Sequence, residues 1–149
     1  MVTYQQEFLC MVQQEITELL ELDYEEIEHD KEQRKLNPHW DMYSQIESLG
    51  RLYIFTARDK GTLVGYFTVV VHEDLHDKDR LCASQDIIFL KKEYRKGYTG
   101  IKLIRFGEGC LREDGLSHLV VTTTMKNPIG PLMKRLGYTL IEEKFERKF

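Results

Sequence analysis

The stretch from residue 81 to 124 most constrains what this chain can fold into. Residues 81–90 are apolar enough for a buried strand. A turn with Gly97 and Gly100 follows, then a helical period over 98–112 through Ile101, Leu103, Ile104 and Leu111. Residues 118–124 are rich in β-formers and read as a second strand. A strand–helix–strand of this length is a parallel crossover, which is right-handed. Upstream lies a hairpin: strand 52–57, a turn at 59–62, and a return strand 63–71. Antiparallel and parallel pairing in one sheet give an α+β fold with a mixed sheet flanked by helices.

The flanks are assigned more simply. Phe8, Val12, Ile16, Leu19 and Leu20 space a helix over 4–21, with Thr3 as cap and Gln6 three residues on. A second, mostly polar helix is expected over 24–35, and Asn37-Pro38 breaks it. Trp40, Tyr43, Ile46 and Leu49 space a third, stopped by Gly50. Residues 72–80 are charged throughout and read as an exposed loop. Pro128 suits the start of a helix ending at Gly137, and 138–149 read as a final strand. With 149 residues the chain suits one domain, in which 1–50 form a helical region and 51–149 the sheet core.

Charge divides the chain. Residues 1–36 hold ten acids and three bases, whereas 91–112 hold seven bases and two acids. The formal net charge is −4, so no global positive field draws the molecule onto nucleic acid. The basic run lacks an interleaved aromatic stripe, which argues against direct nucleic-acid binding. No apolar run is long enough to span a bilayer, and the start is not that of a secretory signal. Cys10, Cys82 and Cys110 form no CxxC, and their odd number suits a reducing cytoplasm.

The turn at 95–100 is where chemistry is expected. Glycines let a phosphate approach the backbone, and the helix start offers free N–H groups and a positive dipole end. Arg95, Lys96 and Lys102 add full charges. The plainer alternative is a turn that only caps a helix. Neither a Walker loop nor a dinucleotide fingerprint is present.

Tyr94-Arg95-Lys96-Gly97-Tyr98-Thr99-Gly100, with Ile101-Lys102-Leu103-Ile104 after it, resembles the acyl-CoA loop of the GCN5-related N-acetyltransferases. The strand His118-Leu119-Val120-Val121-Thr122, then Asn127, and Leu132-Met133-Lys134-Arg135-Leu136-Gly137-Tyr138 resemble that family's closing strand and helix. Asn37-Pro38-His39-Trp40-Asp41-Met42-Tyr43 and Leu75-His76-x-Lys78-Asp79 are similar to acetyltransferase-like proteins of tailed phages. The resemblance implies acetyl-CoA as cosubstrate without a metal, and an amine acceptor such as a lysine side chain, an N-terminus or a polyamine. It implies that the backbone of Phe89 and Leu90 pairs with the pantetheine arm. The N–H groups of Arg95, Lys96, Gly97, Tyr98, Thr99 and Gly100 would hold the pyrophosphate, and Asn127 would sit beside the arm. The chain departs from the family pattern in two places. Tyr98 stands where the loop's first glycine belongs, and Met133 stands where a tyrosine often protonates the leaving thiolate.

Amine acylation needs a group that takes a proton. Asp86, placed by strand alternation on the side of Ile88 and Leu90 and half-buried, is one candidate base; its alternative is a structural carboxylate. His72 and His76, flanking the charged loop, are the others, with a solvated loop as their alternative. The acidic front would border the acceptor. An N-acetyltransferase acting by direct attack in a ternary complex is thus the leading expectation. A catalytically weak interaction module and a nucleobase-modifying acyltransferase are the alternatives, and a homodimer stays open.

Overall fold

A computed structural model describes residues 1–27 and 35–149. Five strands form one sheet in the order β1 (Val2–Gln6), β2 (Leu52–Asp59), β3 (Thr62–Asp74), β4 (Asp77–Leu90), β5 (Leu119–Val120). The first four pair antiparallel, and β4 pairs with β5 in parallel. The mixed sheet expected from the sequence is therefore present. Helix α3 (Thr99–Glu113) makes the crossover from β4 to β5.

Alternation along β2 sorts the core into two layers. Leu52 and Ile54 join Leu63, Tyr66 and Phe89 beneath α1 (Leu9–Ile27), with Trp40, Tyr43 and Ile46 of α2 (Trp40–Ser48) packed on the same layer. Tyr53, Phe55 and Ala57 join Phe67, Val69 and Val71 against Leu103 and Leu111 of α3. The short α4 (Gly130–Arg135) is tied to α3. Tyr138 donates its hydroxyl to Glu108 Oε1 at 2.7 Å, and Arg105 donates to the Leu136 carbonyl at 3.2 Å.

Several boundaries differ from the sequence reading. Residues 2–6 are an edge strand on β2, so the front is not wholly helical. The first helix begins at Leu9. Leu9, Val12, Ile16, Leu19 and Leu20 are buried while Phe8 is exposed. Its first amide is capped from another element, since Leu9 N donates to Glu47 Oε2 of α2 at 2.8 Å. Of the helix expected over 24–35, residues 24–27 continue α1, and 28–34 lie outside the described residues. The charged segment 72–80 is the end of a long β3–β4 hairpin, paired His72 to Cys82 and Glu73 to Leu81. Two-sided solvation there accepts charges that a core strand rejects. Pro131, not Pro128, sits in the first turn of α4. The last strand expected over 138–149 does not form, and Leu140, Ile141, Phe145 and Phe149 are exposed.

A partly buried ion cluster fixes the front to the sheet. Arg58 donates to Glu7 at 2.9 and 3.1 Å, to Glu15 at 3.0 and 2.8 Å, and to the Gly61 carbonyl at 2.8 Å. Thr56 adds its hydroxyl to Glu7. All the guanidinium's donors are used, which suits Arg in a partly buried ion cluster.

Candidate functional site

The strands β4 and β5 share only two residue pairs, Ala83 with Leu119 and Ser84 with Val120. Beyond them a side chain spans the gap: Gln85 Oε1 accepts from Thr122 N at 2.9 Å. Residues 86–90 of β4 therefore present a strand edge with no neighbour in β5. The expected strand 118–124 shortens to Leu119–Val120 because its partner has already turned away. Gly65 lets the free end of β4 lie close. A Cβ there would stand 2.6 Å from Leu90 Cδ1 and 2.8 Å from the Phe89 carbonyl oxygen.

The turn after β4 begins with a short 3-10 turn, Lys92–Tyr94. Tyr94 is pinned by its hydroxyl, which donates to Asp59 at 2.8 Å. Gly97 has φ +90°, a conformation that a side chain would strain. Tyr98 N-caps α3 with no side-chain hydrogen bond, and Lys102 N is the first to reach back, to the Tyr98 carbonyl at 2.9 Å. The amides of Thr99, Gly100 and Ile101 therefore have no acceptor within the helix. Tyr98 is 72% exposed. Lys96 and Lys102 are exposed beside it, and Thr99 is hydrogen-bonded to Tyr4 of β1.

Arg95 is engaged otherwise than the sequence suggests. Its guanidinium donates to the Leu90 carbonyl at 2.6 Å and to Glu26 at 2.9 Å, and lies 5.4 Å from the centre of the Phe89 ring. On the far side of the gap, Lys126 Nζ donates to the Glu25 carbonyl at 3.3 Å. The last described turn of α1 thus touches the segments that follow both parting strands. Asn127 lies in the exposed loop between β5 and α4, where Thr124 holds its backbone at 3.3 Å.

Asp86 sits in a bulge: Thr68 pairs with Ile87 and Val69 with Gln85, which leaves Asp86 as the extra residue. The bulge overrides simple alternation. Asp86 faces α2, not the α3 side of Ile88 and Leu90. Its Oδ2 accepts from Tyr43 at 2.6 Å and from Thr68 at 3.2 Å. The residue is exposed rather than half-buried. Burial, then the Asp86 carboxylate, push the Tyr43 phenol well above its ordinary pKa, so it stays a neutral donor. His72 and His76 are elsewhere. His72 pairs with Cys82 and has its ring 3.2 Å from Ser84 Oγ, while His76 lies at the hairpin end. Cys82 to Leu90 spans roughly 26 Å of strand at about 3.3 Å per residue, so the structure does not bring these imidazoles to the turn.

A carboxyl that sequence reading treated only as part of the acidic front also lies here. Asp23 of α1 is 5% exposed. Burial, reinforced by the Glu26 carboxylate and opposed by Arg95, pushes its pKa up to about 7. Its helical spacing was the available signal, since Asp23 lies four residues after Leu19 and three after Leu20, on their face. Met133 is 6% exposed and packs in the interior of α4.

The sequence matches no family model and no curated protein. Its structure is similar to solved ones over the whole chain. An aminoglycoside acetyltransferase from an uncultured soil metagenomic sample superposes with TM-score 0.76 at 15% identity, covering 100% of this chain and 99% of that one. A predicted acetyltransferase with acetyl-CoA from Clostridium acetobutylicum gives 0.74 at 10% identity, covering 99% and 96%. Glucosamine-6-phosphate N-acetyltransferase from Arabidopsis thaliana gives 0.74 at 10% identity, covering 100% and 99%. The parted parallel strands, the glycine turn and the helix behind it are thus set in the fold of the GCN5-related N-acetyltransferases.

Proposed function

We propose that this protein is an N-acetyltransferase that moves an acetyl group from acetyl-CoA to a primary amine by direct attack in a ternary complex. The parting of β4 from β5 beside an uncapped α3 start carries this reading. A free strand edge suits an amide-bearing pantetheine arm, and unpaired helix amides suit a pyrophosphate. The space at the Gly97 Cβ position is open, and Tyr98 is solvent-exposed. In this reading the backbone of Phe89 and Leu90 takes the arm, and the N–H groups of Arg95 to Gly100 take the phosphates. Arg95 must then release the Leu90 carbonyl, and Asn127 stands across the gap. When bound, acetyl-CoA supplies a thioester whose C–S bond breaks as the C–N bond forms.

Asp86, fixed by Tyr43 and Thr68, faces the acceptor side and would receive the cationic amine. The acids of α1 lie on the same side of the sheet, which favours polyamines, aminosugars or lysine side chains over neutral acceptors. His72 and His76, toward the far end of the β3–β4 hairpin, are given no role in this reading. Acetyl-CoA at about 100 times its Kd should add about 2.7 kcal/mol of stability. For a domain of this size that raises Tm by roughly 5–10 °C. No shift at millimolar acetyl-CoA would sink the reading.

The buried Met133 favours a second reading, an interaction module with little catalysis, because a packed thioether offers no proton to a leaving thiolate. That reading predicts acetyl-CoA binding without turnover on any amine.

A further inference from the structure

The segment after α4 has strand character but no ladder. Residues 138–149 run without a turn or bend, and no backbone hydrogen bond among the described residues reaches 139–149. The sheet offers them none, because its edge strand β5 is only two residues long. Every residue from Thr139 to Phe149 is exposed, Phe145 to 93%. A straight chain puts alternate residues on one side. The Arg147 guanidinium accordingly lies 6.0 Å from the centre of the Phe149 ring, two residues on. The odd-numbered side carries Ile141, Phe145 and Phe149 with Glu143 and Arg147 between them, whereas the even-numbered side from Glu142 to Lys148 is charged throughout. Such a strand has one side to bury and one to leave in water.

We propose that residues 141–149 pair with the same segment of a second copy of this chain, antiparallel about a two-fold axis through Phe145. In such a ladder residue i faces j and j faces i. The order Glu142-Glu143-Lys144-Phe145-Glu146-Arg147-Lys148 then meets itself reversed. Glu142 faces Lys148, Glu143 faces Arg147, Lys144 faces Glu146, Phe145 faces Phe145, and Ile141 faces Phe149. Opposed ion pairs and aromatic pairs stabilise a ladder, and opposed like charges destabilise it. The same pattern sets the register. A slip of one residue opposes Glu143 with Glu146 or Lys144 with Arg147, and a slip of two opposes Glu142 with Glu146 or Lys144 with Lys148. A parallel, in-register pair opposes every charge with its own kind. Only the antiparallel register centred on Phe145 gives each of these charged residues an opposite charge.

In the ladder Ile141, Phe145 and Phe149 of both copies share one side and cover one another, while the other side keeps its charges in water. Glu146 and Lys148 also take part in interactions in the single chain, and pairing exchanges these for Lys144 and Glu142 of the second copy. An isolated two-stranded ribbon is marginal in water. Residues 141–149 are also far fewer than the roughly 20–30 a side of a standard interface. The dimer is therefore weak, with Kd on the order of 10–100 μM. None of these residues belongs to the turn at 95–100 or to the free edge of β4, so the pairing does not rest on the acetyltransferase reading.

Sedimentation velocity and hydrogen exchange on the full chain test the pairing. Between about 5 and 500 μM wild type should pass from monomer to dimer, and the amides of 141–149 should gain protection in step with the dimer. Phe145→Asp should weaken the dimer at least about tenfold, and so should Glu143→Arg, which opposes Arg147 on both sides of the axis. Glu143→Arg combined with Arg147→Glu restores opposite charges and should return Kd to within about threefold of wild type. In mixtures this double variant should pair poorly with wild type, since Arg then faces Arg and Glu faces Glu. All three positions are exposed, so the variants should keep the wild-type Tm. A monomer at every concentration overturns the proposal. So does protection of 141–149 in the monomer, the mark of a segment folded onto its own β5. A dimer indifferent to the reversal and to the swap has its interface elsewhere and overturns it as well.

Discussion

Asp23 and the Arg58 cluster respond to pH in opposite directions. Raised to about 7, Asp23 contributes stability that is full below its ordinary value and is lost as pH rises through 7. Glu7 and Glu15 behave inversely. Burial works to raise Glu7, but hydrogen bonds from Arg58 and Thr56 outweigh it; Arg58 lowers Glu15 against a smaller effect of burial. Their contribution is present above the ordinary carboxylate range and lost as pH falls through their depressed values. The two effects balance near the ordinary carboxylate range, so stability from these groups should peak at about pH 4 to 5 and fall toward pH 7. The advantage of Asp23→Asn over wild type in urea denaturation should grow by about 2 kcal/mol from pH 5 to pH 8. Arg58→Ala leaves the buried Glu7 carboxylate with only neutral partners, Thr56 and Gln5, and should cost about 3 kcal/mol at pH 7. Tyr43→Phe removes one of the two hydroxyls on Asp86. Acetyl-CoA affinity should hold within about twofold in calorimetry, while kcat for an amine falls about tenfold, because only the acceptor-side carboxylate is loosened.

Elements show which sequence signals act locally and which wait for a neighbour. Helices α2 and α3 lie where apolar spacing puts them, because a helix satisfies its own backbone. The N-terminal strand escaped that reading since Val2–Gln6 is short and polar, and exists as a strand only on the edge of β2. Residues 138–149 show the converse: they have the composition of a strand, but the two-residue β5 gives them no ladder. The bulge at Asp86 belongs here too. Nothing in Gln85-Asp86-Ile87 announces it, and it transfers the carboxylate from the face of α3 to the face of α2. The approach of β4 to Gly65 is testable as an element property. Gly65→Ala places a methyl group against Leu90 and the Phe89 carbonyl, which costs about 1–3 kcal/mol. Since Phe89 and Leu90 form the free edge, acetyl-CoA affinity should fall about tenfold or more as well, read by calorimetry at a temperature where the variant is folded.

Across the molecule, the charge division becomes a spatial one in part. The basic run spans the turn and α3, with Lys96 and Lys102 exposed there. The acidic front reaches the same region through Glu26 on Arg95 and the Glu25 carbonyl on Lys126. Among the described residues no helix is long and apolar enough to cross a membrane. If the phosphates sit on amides flanked by exposed lysines, acetyl-CoA should bind about three- to tenfold more weakly in 0.5 M than in 0.05 M salt, since screening acts on exposed charge. By itself the sequence determined the mixed sheet, the crossover and the glycine turn, because apolar periodicity and glycine act over a few residues. Only the tertiary structure decided where β4 leaves β5, that Arg95 holds Leu90 and Glu26, and that Asp86 turns toward Tyr43. It alone selected Asp23 from ten acids at the front, because burial and the field of a distant residue depend on how elements pack, and no spacing along the chain encodes them.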